Sequence, residues 1–188
     1  DTGKPFKFKQ GMDERLLTDE KCAMLFSAKY DGDLTFAFDR IQDYPVIEKK
    51  LGMISRHMNE KRKGHILFYV LCGFEGTDAA DIEGVFRRIE LLARYGCLPY
   101  IMRYTGPDGA PWRDSPYRGM YITLARWANQ PGMFKKKSIR QYAEMEQATF
   151  EAKGHTDLCA PMRYVREFER EHPDIAARYF DLRWADIC

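Results

Sequence analysis

The feature that most constrains this chain is one apolar run, Ile66, Leu67, Phe68, Tyr69, Val70 and Leu71, held between His65 and Gly73. Six consecutive apolar residues without alternation describe a strand buried on both faces, which is the habit of a parallel sheet with helices packed on it. The segments around it agree. Lys4 to Gln10 alternates Phe6 and Phe8 with lysines, Leu34 to Asp39 is a second short run, and Leu98 to Tyr104 makes a fourth. Between them lie helical patterns. Thr18 caps a helix with Asp19 and Glu20 in its first turn, running to about Lys29 with Leu25 and Phe26 inward. Asp43 and Pro45 start one that carries Ile47, Leu51, Ile54 and Met58. Thr77 caps one that carries Ile82, Val85, Phe86, Ile89 and Leu92, which Gly96 stops.

Strand and helix alternating in this way give βαβ units, so the fold class is α/β with about four parallel strands. Residues 1–105 carry those units. Residues 106–188 begin with a loop crowded by Gly106, Pro107, Gly109, Pro111 and Pro116, then read as a helical tail packed on the same domain. Helices are expected over Tyr117 to Ala128, Ser138 to Ala152 and Pro161 to Arg170, with a last short one from Pro173.

Composition excludes several classes. The 30 basic residues nearly balance 28 acidic ones, so nucleic acid is not indicated, and no apolar run reaches the roughly 20 residues that a membrane helix needs. Five separated cysteines, Cys22, Cys72, Cys97, Cys159 and Cys188, suit reduced thiols and a cytoplasmic setting, and none forms a CxxC pair. Lys135 to Lys137 reads as a solvated face, and His155 with Cys159 is no metal site because Gly154 and Pro161 break the helix that would pair them.

Parallel strands joined by crossovers share one rim at their carboxyl ends, where ligands bind in such folds. That rim should display Gln10 to Arg15, Asp39 and Arg40, Gly73 to Gly76, and Arg103 and Tyr104. Strand alternation lets only one of Arg103 and Tyr104 point inward, and Tyr104 is the better candidate. Four strands do not close a barrel, so an unpaired edge is expected and a segment preceding Asp1 is implied.

The stretch Phe8, Lys9, Gln10, Gly11, Met12, Asp13, Glu14, Arg15, Leu16, Leu17, Thr18, Asp19, Glu20 resembles the pattern FNQGLDxRLLTxE of a group of radical S-adenosylmethionine proteins. Ala37, Phe38 and Asp39 match its AFD strand end. Phe68 to Phe74 match FYVLxGF, and Pro99, Tyr100, Met102 and Tyr104 match PYxMxY. Leu124 to Asn129 and the stretch from Phe134 to Tyr142 are similar to the helical tail of these proteins, whereas the last 45 or so residues carry no motif.

The resemblance implies a partial (β/α) TIM-type barrel, its carboxyl-terminal half, with S-adenosylmethionine at the strand rim. Its site residues would be Gln10, Asp13, Arg15, Asp39, Gly73, Phe74, Gly76 and Tyr104. It also implies a four-iron four-sulfur cluster on an upstream CxxxCxxC motif, whose electron cleaves the cofactor to a 5′-deoxyadenosyl radical. No cysteine here has that spacing, and Lys9 stands where the group has Asn. The expectation is therefore a fragment with no catalytic residue of its own, inactive alone, waiting on a missing amino-terminal half and an unread substrate. Two other readings stay open: a non-catalytic α/β module that binds a nucleotide or partner, and a homodimer joined through an exposed sheet edge.

Overall fold

The structure, a computed structural model, describes residues 4–188. Its centre is a parallel sheet in the order β1-β2-β3, formed by Leu34–Ala37, Ile66–Cys72 and Leu98–Arg103. The register pairs Leu34 with Ile66 and Ala37 with Tyr69, and then Leu67 with Leu98 and Cys72 with Arg103. The α/β class and the parallel direction are as expected.

The first expected strand, Lys4 to Gln10, is reduced to one isolated parallel bridge, Phe6 to Tyr30, and a second, Met12 to Phe36, falls beyond its end. The physical reason lies at Gln10 to Arg15. Met12 donates its N–H to Thr35 O at 2.7 Å, but the chain then turns into a short 3-10 helix at Glu14–Leu16 under an Asp13 cap. The described sheet thus has three strands where about four were expected.

α1 spans Asp19–Ser27, α2 Tyr44–His57 and α3 Ala79–Arg94. Thr18 caps α1 as its sequence position predicts, whereas α3 is capped by Asp78 and not Thr77: the Asp78 carboxylate accepts from Asp81 N. α1 ends two residues early, and its buried residue is Cys22, with Leu25 and Phe26 only partly covered. Gly96 takes φ +67° behind α3, the left-handed stop that its position predicts.

One face of the sheet is covered. Leu34, Phe36 and Phe38, then Ile66, Phe68, Val70 and Cys72, are all buried, together with Ile47, Leu51 and Ile54 of α2 and Val85, Ile89 and Leu92 of α3. The opposite face is not. Thr35, Ala37, Leu67, Tyr69 and Leu71 are only partly covered, and Tyr100 and Met102 are 41% and 42% exposed. β2 is therefore not buried on both sides as its apolar run predicts. A parallel sheet normally has both faces sealed, so the half-open aromatic face is the departure in this fold.

The tail consists of α4 (Arg118–Ala128), α5 (Pro131–Phe134), α6 (Ile139–Glu151), α7 (Ala160–Glu171), α8 (Pro173–Tyr179) and α9 (Trp184–Ile187). Ser138 opens α6 with a capping box to Gln141. Tyr179 stacks on Phe86 of α3 at 5.4 Å, so the tail shares the core of the sheet layer. No described helix is long and apolar enough to cross a membrane.

Candidate functional site at the strand rim

Of the eight expected site residues, Asp39, Gly73, Phe74, Gly76 and Tyr104 follow the carboxyl ends of β1, β2 and β3, and Gln10, Asp13 and Arg15 lie in the turn beside the end of β1. They divide between two clefts that share Asp39. The larger, about 510 Å³, is lined by Gln10, Asp13, Glu14, Arg15, Asp39 and Tyr69 among others. The smaller, about 250 Å³, opens between the β1 and β2 ends and α3, and its walls include Asp39, Phe74, Gly76, Asp81 and Arg88. Gly73 and Tyr104 sit beside the second cleft: Gly73 precedes Phe74, and the Tyr104 ring lies edge-on to Phe74 at 4.8 Å.

Asp39 follows the alternation of Phe36 and Phe38, which are buried on the helix side. Its carboxylate accepts no hydrogen bond among the described residues. Desolvation at the cleft wall pushes its pKa up, opposed by the charge of Arg88. A rim carboxylate without a partner is an acceptor for hydroxyl or amine donors of a ligand.

Asp13 and Arg15 are spent on each other. Arg15 donates Nε to Asp13 Oδ1 at 2.8 Å and Nη2 to Oδ2 at 3.0 Å, and this pairing holds the Asp13 carboxyl below its usual range. The Arg15 guanidinium is thereby a turn-ordering group, although it still lines the larger cleft. Gln10 is exposed at the same cleft mouth. Gly11 faces Tyr69 so closely that a Cβ there would stand 3.3 Å from the ring.

Gly73 adopts φ +65°, and a Cβ on it would meet Trp112 Cβ at 2.7 Å. Its N–H donates to Asp81 Oδ2 at 2.8 Å, and the same oxygen accepts from Tyr121 Oη at 2.8 Å. Burial pushes the Asp81 carboxyl up against the pull of these two donors. Gly76 has an ordinary backbone and only approaches the Asp78 carboxylate.

Arg88 is the largest contribution that sequence reasoning missed. It is 2% exposed and has no carboxylate within ion-pair distance among the described residues. Nη1 instead faces Phe38 O, Asp39 O and Leu71 O at 3.0, 2.8 and 2.8 Å, and Nε donates to Gly84 O at 3.1 Å. The guanidinium ties the ends of β1 and β2 to α3 and fixes the backbone under Asp39. Its signal was readable: Asp81, Val85 and Arg88 share one helical face with Ile89 and Leu92, and charge on an apolar stripe needs a reason.

Glu14 carried no such signal among its charged neighbours. It is 3% exposed, accepts from Ala37 N at 3.4 Å, and is pushed up by burial. It satisfies a β1 amide on the side away from β2.

The cysteines were tested as cluster ligands and do not fit. No group of three or more metal-binding side chains occurs among the described residues, and four of the five thiols are buried. Desolvation pushes the Cys72 thiol up to about 12, the reverse of what a thiolate ligand requires. No protein-family model matches the chain, and no curated protein or solved structure matches it.

Proposed function

We propose that this chain is the carboxyl-terminal half of a barrel of radical S-adenosylmethionine type, and that it binds S-adenosylmethionine at the strand rim. The reading is carried by one observation: Gln10, Asp39, Phe74 and Tyr104, from four separate motifs, border adjoining clefts at one end of a parallel sheet. The uncovered face supports it. Tyr69, Tyr100 and Met102 lie on the face that a partial barrel would turn inward, and further strands on the amino-terminal side of the sheet would cover them.

In this proposal Asp39 accepts from the ribose hydroxyls, Gln10 bonds the amino acid end, and the adenine packs against the Phe74–Tyr104 ring pair. Bound with a cluster, the cofactor supplies hydrogen-abstracting radical chemistry. The thiolates for that cluster are assigned to a polypeptide segment outside residues 1–188, because those within it do not fit. The contribution of this chain is to bind, orient and exclude solvent.

The test is a titration of S-adenosylhomocysteine into the isotope-labelled chain, followed by amide shifts. Saturable shifts at Gly11, Asp39, Phe74 and Tyr104, abolished by Asp39→Asn, are expected. Absence of saturation, or shifts confined to the tail, would overturn the proposal.

A further inference from the structure

Beyond the second cleft, the rim carries two arginines without an acidic partner among the described residues. Asp39, Glu75, Asp78 and Asp81 line the cleft between β1, β2 and α3 together with Arg88, whereas the end of β3 and the loop after it carry Arg103 and Arg113 beside Asp108 and Asp114. Arg103, the last residue of β3, holds its guanidinium 4.6 Å from the centre of the Trp112 ring. Arg113, the next residue of the loop, holds its own 5.6 Å from the same ring. Both arginines are exposed, and neither side chain makes a hydrogen bond or ion pair among the described residues.

Trp112 itself cannot shift. It is 6% exposed, its Cβ is pressed against Gly73, and Nε1 is buried without an acceptor. The loop around it is pinned, since Gly106 and Gly109 exchange backbone hydrogen bonds and Ser115 Oγ donates to Thr77 O. Two cations held near one buried indole lose little freedom on meeting a ligand. Their guanidinium N–H groups have no partner among the described residues.

We infer that Arg103 and Arg113, organised by Trp112, form an oxyanion subsite for the substrate, which carries a phosphate or carboxylate group. The inference rests on the reading of this rim as the ligand-binding end, and it extends that reading by giving the substrate a charge. Guanidinium forks pair such groups through two parallel hydrogen bonds. The roles are then separate: the adenosyl portion belongs with Asp39 at the clefts, and the substrate anion with the two arginines, unpaired among the described residues.

The experiment titrates pyrophosphate and malonate separately into the full chain by calorimetry at low ionic strength. At least one should bind saturably, and the tighter of the two identifies the group. Arg103→Gln and Arg113→Gln should each weaken that binding about tenfold, and the double variant should abolish it, with circular dichroism and thermal midpoint unchanged. Arg103→Lys with Arg113→Lys keeps the charge but not the fork and should recover only part of the affinity. No saturable binding of either anion, or equal binding by the double glutamine variant, overturns the inference. S-adenosylhomocysteine titrated into that variant separates the two claims. Cofactor binding without anion binding in the wild type removes the subsite alone, and anion binding without cofactor binding removes the cofactor assignment alone.

Discussion

The side-chain amide of Asn129 pairs with both main-chain groups of Ile101, accepting from its N–H at 2.6 Å and donating to its carbonyl at 3.0 Å. Asn129 follows α4 directly, so a helix end supplies to β3 what a neighbouring strand would. Two residues earlier on the same side stands Pro99, which has no N–H to offer. The β3 edge is thus blocked at two successive outward positions, and strand pairing between two copies of the chain is disfavoured there.

Asn129→Ala should cost about 1–3 kcal/mol, because both Ile101 groups lose their partner in a partly buried setting. The same variant should associate at high concentration. Urea unfolding measures the first effect and sedimentation at several loadings the second; a monomer of unchanged stability would contradict both.

Gly73→Ala is expected to be among the most damaging single-methyl additions. The left-handed backbone costs about 1 kcal/mol for a non-glycine residue and the collision with Trp112 a further 1–3 kcal/mol. The near-ultraviolet dichroism of the tryptophans should change with the loss of stability.

Arg88→Met removes the shared donor of four carbonyl groups and should destabilise by about 3 kcal/mol or more. Arg88→Lys keeps a charge without the fork and should fall between the two. Because Asp39 O is one of the four, both variants should weaken S-adenosylhomocysteine binding at the rim, which a purely structural loss elsewhere in the core would not do.

Burial raises the folded-state pKa of Glu14 above the 4.5 of a free glutamate side chain. The folded protein therefore holds a proton that the unfolded chain has released, so this group lowers stability as pH climbs from about 4.5 through the raised value and adds no further change above it. Glu14→Gln keeps an acceptor for Ala37 N and cannot ionise. Its stability relative to wild type should rise as pH climbs above about 4.5, as read by denaturant midpoints; parallel curves would refute the assignment.

Anaerobic incubation with iron and sulfide should leave the isolated chain without the visible absorption of an iron-sulfur cluster. A stable four-iron species would show that the cysteines rearrange to a geometry the fold does not present.

The sheet was legible because each strand is bounded by turn residues and each helix by a cap, as at Thr18 and Ser138, and these signals are local. Thr77 and Asp78 show the limit: two adjacent residues both suit a cap, and only the position of Asp81 N decides between them. The first strand failed for a tertiary reason, since Phe6 and Phe8 alternate correctly but pack on Tyr30 and not along a strand. At the rim, spacing placed Asp39 and Gly73 correctly, while Arg88, Glu14 and Trp112 owe their positions to contacts between distant segments. The half-open face was the hardest to foresee, because Leu67, Tyr69 and Leu71 are as apolar as the buried residues that alternate with them.

Strand order equal to chain order has a consequence for synthesis. Each strand docks on the one made just before it, with a single helix to place in between, so the layer can grow from its amino-terminal side as the polypeptide leaves the ribosome. The last strand then waits with a bare margin while 25 further residues emerge, from Tyr104 to Ala128, before Asn129 arrives to seal it. That interval is when a nascent chain of this kind is most open to a chaperone, or to capture by a neighbour.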